Sequence, residues 1–384
     1  MGALAAAIRS ELPGTRVLSL DSSFGGGDDV LSGFFGDVSA QVARACRWLR
    51  SHPAIRESEG GEFDAVGFSQ GGLFLRALVQ RCGSGGVGGG GGEQEDESES
   101  ENTTGTNNGT SSSSSASSSS PFAPRARTLI TLGSPHQGVT AFPSCDPPAA
   151  AAVAAAAAAS VPADPNLNLG ASSLFCRAAE ALIRRGAFAA GVRDRVVQAQ
   201  YFKPDADPEP FDFFATREWE TYLRASPFLP KVNCEQEEEE EEEEGKSLPL
   251  FRSSPRGGSG LSLASLHRLV LFRFYGDSVV VPRDSAWFSE LRRGRVVPLR
   301  ETPLYSSAGR GDPLGLRELD EGGRLFFKTA PGNHMRFGVE WFVEKVVRPF
   351  LGDDGDGEEE DGGRRRRSGE GVEKEREEGG LEVA

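Results

Sequence analysis

The sequence lacks any hydrophobic run long enough to cross a membrane. It is also poor in histidine and cysteine, with four histidines and five cysteines. No window of about 20 residues is predominantly apolar, so we expect no membrane-spanning helix. No two cysteines have the CxxC spacing, which argues against a structural zinc site. The opening MGALAAAIRSELPG has too short an apolar part for a secretory signal, and Ala6 stands where a myristoylation signal needs Ser or Thr.

Several stretches of the sequence have too few apolar residues, or too monotonous a composition, to supply a packed core. Residues 83–120 are almost wholly glycine, serine and polar or acidic residues, and an alanine run and an acidic block lie at about 147–164 and about 235–260. The net charge of −15 comes largely from the acidic block and from the tail at 353–384. We interpret this negative charge as keeping disordered segments solvated. The charge gives no indication of nucleic acid as a partner. We therefore predict one α/β domain over residues 1–352, interrupted by these insertions and followed by a disordered tail.

The remaining sequence alternates between helix-like and strand-like patterns. Apolar residues have helical spacing in LAAAIRSEL, DVSAQVARACRWLRSHP, LFLRALVQRC, SLFCRAAEALIRRGAF, VRDRVVQAQYF, SAWFSEL and VEWFVEKVVRPFL. Runs typical of buried strands are TRVLSLD, FDAVGF, RTLITLGSP, HRLVLFRFYG and RLFFKTA. This alternation predicts a mostly parallel central sheet with helices on both faces.

A serine flanked by glycines, in GFSQGG, stands where the strand-like FDAVGF changes to the helix-like LFLRALVQRC. A G-x-S-x-G turn in that context is typical of the nucleophile elbow of α/β-hydrolases, which exposes the serine at the top of the sheet. Ser69 is therefore a candidate nucleophile, and the backbone N–H of Gln70 is a candidate oxyanion donor at the helix N-terminus. The alternative is a plain glycine-rich turn in which Gly72 and Ala77 let the helix pack closely on the strand.

A nucleophilic serine needs a base, and the four histidines differ in their positions along the predicted elements. His52 precedes the elbow and is interpreted as a helix cap, His267 begins a strand, and His136 follows one. His334 lies between the last strand and the last helix. Because α/β-hydrolases carry their triad in the order serine, acid, histidine, this position favours His334 as the base.

Two aspartates follow the strand HRLVLFRFYG, and either one has a position suited to the acid. Asp277 lies at the carboxyl end of the strand and Asp284 lies seven residues further on. A carboxylate that fixes the tautomer of the base is expected at the strand end, which favours Asp277. We interpret Asp284 as the N-cap of the short helix that carries Trp287.

Several segments together resemble the palmitoyl-protein thioesterases, in the same order along the chain: GFSQGGLFLRALVQRC, GSPHQGV, VVQAQYF, YGDSVVVPRDSAWF, ETPLYSSAGRGDPLGLRELDEGGRLFF and GNHMRF. The resemblance spans nearly all of the foldable sequence. It implies an α/β-hydrolase that cleaves the thioester between a fatty acyl chain and a protein cysteine, with no cofactor or metal. It also implies Ser69 as the nucleophile, Asp277 as the acid, His334 as the base and Gln70 as an oxyanion donor.

The same resemblance bears on the five cysteines. It pairs Cys46 with Cys82 and Cys145 with Cys176, and it leaves Cys234 over. Because disulfides persist in oxidising compartments and the family is usually lysosomal, the implied localisation is lysosomal or secretory.

Aromatic residues are frequent between Tyr201 and Phe228 and show no clear period. The others in this segment are Phe202, Phe211, Phe213, Phe214, Trp219 and Tyr222. We interpret the segment as the lining of an apolar groove for the acyl chain, because each buried methylene contributes roughly 0.8 kcal/mol. Ordinary core packing is the alternative.

The leaving group and the completeness of the fold stay open. An acyl-CoA thioesterase or a lipase or carboxylesterase would share the triad, and an inactive, truncated relative would keep only a binding role.

An elbow of this fold is preceded by two further core strands, whereas only TRVLSLD and FDAVGF precede Ser69 here. We therefore expect that the chain begins after the first core strand, with any signal peptide further upstream. Sequons that begin at Asn102 and Asn108 are consistent with a glycoprotein.

Overall fold

The computed structural model describes residues 2–20, 33–82, 122–141, 186–189, 191–206, 213–236, 262–306 and 312–352. Its helices are α1 (Gly2–Glu11), α2 (Val38–Ser51), α3 (Pro53–Arg56), α4 (Gln70–Cys82), α5 (Phe213–Ala225), α6 (Leu229–Val232), α7 (Pro303–Ser306), α8 (Leu316–Glu321), α9 (Val339–Phe342) and α10 (Arg348–Leu351). Its strands are β1 (Glu62–Phe68), β2 (Arg125–Leu132), β3 (Arg268–Phe274), β4 (Glu290–Arg292), β5 (Arg295–Val297) and β6 (Leu325–Ala330). Nearly all of the predicted insertions and tail, and most of the predicted helix SLFCRAAEALIRRGAF, lie outside the described residues, so the domain boundaries stay predictions.

The central sheet consists of parallel strands in the order β1, β2, β3, β6. A separate antiparallel pair is formed by β4 and β5. The predicted α/β-hydrolase fold with a parallel central sheet is confirmed. Because parallel strands end at the same edge of a sheet, the segments that follow β1, β3 and β6 come together there. Within the described residues β1 is an edge strand, and the expectation of a further core strand before it stays a prediction.

Helices cover both faces of this sheet, because successive side chains along each strand point to opposite sides. One row of neighbouring side chains packs with Val79 of α4 and Leu319 of α8, and it consists of Ala65, Leu129, Leu269 and Leu325. The next row packs with Ile8 of α1 and Phe350 of α10, and it consists of Val66, Ile130, Val270 and Phe326. The prediction of helices on both faces is therefore confirmed.

The helices α2 and α4, on either side of the elbow strand, form as the sequence predicts. Asp37 caps α2 by accepting hydrogen bonds from the backbone N–H groups of Ser39 and Ala40, at 2.8 and 3.2 Å. A disulfide between Cys46 and Cys82 joins α2 to the end of α4, which is the first pairing that the resemblance implied. Cys145 and Cys176, the second implied pair, lie outside the described residues.

The predicted strand TRVLSLD is wrong over its described residues, 15–20, which carry no strand. Its side chains are largely exposed, with Leu18 at 36% of its full accessible surface, and Arg16 forms an ion pair with Glu57 at 2.7 Å. An apolar run therefore resembled a buried strand, although residues 15–20 lie on the surface and pair with no strand of the described part of the chain.

The predicted helix VRDRVVQAQYF is also wrong, because it forms turns and a 3₁₀ helix at Val197–Tyr201. One backbone carbonyl, which would accept a hydrogen bond within an α-helix, accepts one from another segment instead. The carbonyl of Arg195 accepts the N–H of Gly36 at 2.8 Å, and Ala199 donates to Val196 instead. Tertiary hydrogen bonds thus override the helical pattern.

The short helix predicted at SAWFSEL is a 3₁₀ helix at Arg283–Trp287, and the left-handed Phe288, with φ at 59°, ends it before β4 begins. The predicted closing helix is confirmed as α9 and α10, joined by a π-helical turn at Val343–Val347. Among the described residues, no helix is long and apolar enough to span a membrane.

Candidate active site

Ser69 lies at a sharp bend between the end of β1 and the start of α4. Its φ of 51° is in the left-handed region, which costs a non-glycine residue free energy and is typical of a nucleophile elbow. The bend is tied to β2, because the N–H of Ser69 donates to the carbonyl of Leu132 at 2.8 Å. It is also tight: a Cβ on Gly67 would lie 2.5 Å from the Cα of Gly72. Glycine is therefore required where strand and helix meet.

The structure brings Ser69, His334 and Asp277 together in a line of hydrogen bonds. Ser69 Oγ lies 2.9 Å from His334 Nε2, and His334 Nδ1 lies 2.7 Å from Asp277 Oδ2. Ser69 follows β1, Asp277 follows β3 and His334 follows β6. All three strands end at the carboxyl edge of the sheet, which is why side chains far apart in the sequence meet there. The base and the acid are shielded from water, since the His334 and Asp277 side chains are 8% and 1% exposed.

The Asp277 carboxylate is held in one orientation by its own loop. Its Oδ1 accepts hydrogen bonds from the N–H groups of Val279 and Val280, at 2.9 and 3.0 Å. These bonds leave Oδ2 directed at the imidazole. The histidine therefore has its Nδ1–H held by a carboxylate and its Nε2 available to accept the serine proton.

Asp284, the alternative acid, has a different partner and does not reach His334. It forms a close ion pair with Arg273, whose guanidinium lies 3.8 Å from the centre of the Trp287 ring. The prediction that Asp284 is an N-cap is wrong, because the cap position of that 3₁₀ helix is Pro282 and no side chain caps it. The ion pair fixes Asp284 inside the first turn instead.

Of the other three histidines, His52 and His136 have structural partners for their side chains. His52 caps α3, as predicted, by accepting a hydrogen bond from the N–H of Ala54 at 3.2 Å. His136 is fully buried, where its Nε2 lies 2.9 Å from Thr131 Oγ1 and its ring stacks on Phe288. Burial, with a smaller contribution from a nearby arginine charge, holds the pKa of His136 well below its ordinary value, so this imidazole is neutral. His267 precedes β3, as predicted.

Gln70 follows the nucleophile as the first residue of α4, where the backbone N–H has no acceptor within the helix. Its side chain joins two surrounding segments. Nε2 donates to the carbonyl of Gly33 at 2.9 Å, and Oε1 accepts from the Tyr201 hydroxyl at 3.3 Å. The sequence predicted a role only for the backbone of Gln70, because nothing local indicates where its side chain reaches.

A cavity of about 230 Å³ opens beside the elbow, between α2, the start of α4 and the 3₁₀ helix Val197–Tyr201. Its lining is mainly apolar and includes Val38, Gln41, Leu73, Phe74, Tyr201 and Phe228.

Two members of the predicted aromatic groove, Tyr201 and Phe228, line this cavity. Trp219 and Tyr222 instead pack together, with ring centres 5.1 Å apart, and Phe202 packs on Phe188. The side chains of the other three, at 211, 213 and 214, lie outside the described residues. Val38 and Gln41 were missed, since a helix face that lines a cavity has the same apolar pattern as one that packs in a core.

Comparison with known proteins confirms the resemblance found in the sequence. The family model described as palmitoyl protein thioesterase matches residues 1–88 and 117–334, which include Ser69, Asp277 and His334. Palmitoyl-protein thioesterase 1 of Caenorhabditis elegans is 26% identical over 354 residues, covering 91% of this chain and 86% of that protein.

Two further relatives match over smaller shares of their own length. A palmitoyl-protein thioesterase–dolichyl pyrophosphate phosphatase fusion of Schizosaccharomyces pombe is 25% identical over 326 residues, which cover 84% of this chain and 36% of the fusion. A lysosomal thioesterase PPT2 homolog of Drosophila melanogaster is 25% identical over 138 residues, which cover 34% of this chain and 40% of that protein.

Proposed function

Because this chain belongs to the palmitoyl protein thioesterase family and is therefore a thioester hydrolase, we propose that it releases long-chain fatty acids from S-acylated proteins, with palmitoyl as the expected chain. The observation that carries the proposal is the hydrogen-bond line from Ser69 through His334 to Asp277. A serine with this arrangement is an activated nucleophile, since an adjacent base takes its proton.

The first step forms an acyl-enzyme. Ser69 Oγ attacks the thioester carbonyl while His334 Nε2 takes the hydroxyl proton, and Asp277 stabilises the imidazolium. The backbone N–H of Gln70 donates to the oxyanion of the tetrahedral intermediate. The carbon–sulfur bond then breaks, and the proton on Nε2 passes to the departing cysteine sulfur.

The second step releases the fatty acid. A water molecule gives one proton to His334 Nε2 as its oxygen attacks the acyl-enzyme carbonyl. When the bond to Ser69 Oγ breaks, the proton returns to Oγ and the serine is restored. Apart from the substrate and this water molecule, the steps use side chains and backbone groups of the chain.

The cavity beside the elbow is the proposed site for the first part of the acyl chain. It opens next to Gln70, immediately after the nucleophile, and its lining is mainly apolar. Burial of methylenes against such a lining is favourable by roughly 0.8 kcal/mol each, which suits a long-chain acyl group.

The proposal is tested by labelling with a fluorophosphonate probe and by assays with matched substrates. The wild-type protein should react with the probe, and Ser69→Ala should lose both labelling and thioester hydrolysis. Labelling that persists in Ser69→Ala would exclude this serine as the nucleophile. An S-palmitoyl peptide, its O-palmitoyl analogue and palmitoyl-CoA, assayed in parallel, separate a protein thioesterase from a lipase-type esterase and an acyl-CoA thioesterase. Absence of labelling in the folded wild type would support an inactive relative.

The proposed localisation is lysosomal or secretory. The Drosophila melanogaster relative is named a lysosomal thioesterase, and the Cys46–Cys82 disulfide suits an oxidising compartment. Immunolocalisation to any other compartment would contradict this assignment.

A further inference from the structure

The loops that carry the acid and the base run side by side beyond the ends of β3 and β6. We call residues 275–281 the acid loop and residues 331–338 the base loop. Backbone bonds continue the strand pairing for a short distance, since the N–H of Tyr275 donates to Ala330 at 2.9 Å and that of Gly276 to Gly332 at 2.8 Å. The second of these bonds lies one residue before Asp277 and two residues before His334. The triad residues themselves therefore need another contact to set their separation.

The side chain of Asn333 supplies a contact at that point. Its Oδ1 accepts a hydrogen bond from the N–H of His334 at 2.7 Å. The same oxygen accepts from the N–H and the hydroxyl of Ser278, at 3.3 and 3.2 Å. One oxygen on the base loop thus contacts the base residue itself and the residue that directly follows Asp277.

The base loop has little regular structure to hold it otherwise. Gly332 and Met335, on either side of Asn333 and His334, both have left-handed backbones, with φ at 78° and 57°. Such a backbone forms no strand ladder, and the residues at positions 331, 332, 336 and 338 are exposed. The position of the imidazole therefore depends on a few specific bonds, among which those of Asn333 cross to the acid loop.

We propose that Asn333 is a positioning residue of the triad, whose side-chain oxygen fixes the base loop against the acid loop so that His334 meets both Ser69 and Asp277. The inference rests on the proposed function, because it assigns Asn333 a part in the same reaction. Active sites require placement of such groups to within about 0.5 Å, and a shift of about 1 Å costs on the order of 100-fold in rate. Loss of the Asn333 oxygen should therefore lower the chemical rate without weakening substrate binding.

The experiment compares three variants with the wild type. Asn333→Leu removes the acceptor at similar volume, Asn333→Asp keeps an oxygen acceptor in the same place, and Ser278→Ala removes a single donor. We would measure kcat and KM on an S-palmitoyl peptide, the rate of fluorophosphonate labelling and the melting temperature. All variants and the wild type are assayed at the same pH and ionic strength.

We expect Asn333→Leu to lower kcat and the labelling rate by roughly 10- to 100-fold, with KM changed by no more than about twofold. Asn333→Asp should recover most of that loss, and Ser278→Ala should have a small effect. Wild-type kcat in Asn333→Leu, or equal losses in the folded Leu and Asp variants, would overturn the proposal. If Asn333→Leu does not fold, Asn333→Ala removes the same oxygen without bulk, and failure of both to fold would assign Asn333 to folding instead.

The labelling arm separates this inference from the proposed function. A wild-type protein that fails to label at Ser69 would overturn both. A wild type that labels, together with an Asn333→Leu variant that labels equally fast, would overturn only the role of Asn333.

Discussion

The two aspartates after β3 lie seven residues apart and have different partners, so their variants should behave differently. Asp277 contacts His334 Nδ1 at 2.7 Å and is almost fully buried, whereas Asp284 pairs with Arg273. Asp277→Asn should lower kcat by roughly 10⁴-fold, because an amide does not hold the imidazole in the tautomer that accepts the serine proton. Steady-state kinetics on an S-palmitoyl peptide measure this loss.

Asp284→Asn is the matched control for that prediction, since it makes the same chemical change in the same loop region. It removes the charge opposite Arg273 without touching the triad, so we expect kcat to stay within about tenfold of the wild type. A larger loss in Asp284→Asn than in Asp277→Asn would move the acid to Asp284.

At the level of single residues, the sequence predicted the placement of those whose position follows from chain order. Ser69, Asp277 and His334 each follow a strand of a parallel sheet, and that topology alone brings them to one edge. The side-chain contacts of Gln70 and Asn333 were not predictable, because they depend on how Gly33, Tyr201 and Ser278 fold back from distant parts of the chain. Such contacts have no local sequence signal.

The elbow offers a test at the level of one helix, because its two consecutive glycines meet different surroundings. A Cβ on Gly72 would lie 2.0 Å from the Oγ of the buried Ser134, whereas a Cβ on Gly71 meets nothing within 4 Å. Gly72→Ala should lower the free energy of unfolding by about 1–3 kcal/mol, because the added methyl group would overpack the junction of α4 and β2. Chemical denaturation measures the change.

Gly71→Ala is the matched control, one residue away in the same helical turn. Because alanine favours a helix over glycine by up to about 1 kcal/mol and meets no obstacle here, this variant should be neutral or more stable. If Gly72→Ala proved as stable as Gly71→Ala, close approach of α4 to β2 would not be the reason for a glycine at position 72.

At the level of elements, the sequence predicted those whose apolar pattern is satisfied by the sheet. The runs that became β1, β2, β3 and β6 pack on both faces, and α2 and α4 form within the segments that have helical spacing. The segments TRVLSLD and VRDRVVQAQYF were assigned wrongly, each for its own reason. The first has no neighbouring strand in the described residues, and the second exchanges internal hydrogen bonds for bonds to residues 36 and 139.

At the level of the whole molecule, a buried ionic cluster joins segments that are distant in the sequence. Lys203 Nζ donates to Glu235 and Glu290 at 2.6 Å each and to Gln137 at 2.5 Å. The three charged side chains are 3%, 12% and 8% exposed. The cluster therefore ties four segments to one ammonium group: the loop after β2, the segment after the 3₁₀ helix Val197–Tyr201, the segment after α6, and β4. This cluster was not predictable from the sequence, because Glu235 is the first residue of an acidic run and has no local feature that sets it apart.

The charge state of this cluster determines the direction of its pH dependence. Burial alone would lower the pKa of Lys203, but the charges of Glu235 and Glu290 outweigh it, and the pKa is raised. A lysine with a raised pKa in the folded state contributes stability that is fully present below its unfolded value of about 10.4. That contribution is lost as the pH rises through the folded value, so the charged lysine stabilises the fold at neutral pH and ceases to do so in strongly alkaline solution.

Lys203→Met should therefore destabilise the whole fold more than loss of a surface lysine. It leaves two buried carboxylates without their cation, and breaking such a buried pair costs roughly 3–5 kcal/mol. Lys231→Met is the matched control, because Lys231 is exposed on α6 and its loss should cost no more than about 0.5 kcal/mol. In denaturant titrations at pH 7, adding Glu235→Gln and Glu290→Gln to Lys203→Met should restore much of the lost stability, since no unpaired charge then remains at the site. Equal effects of Lys203→Met and Lys231→Met would show that the ionic cluster does not hold these segments together.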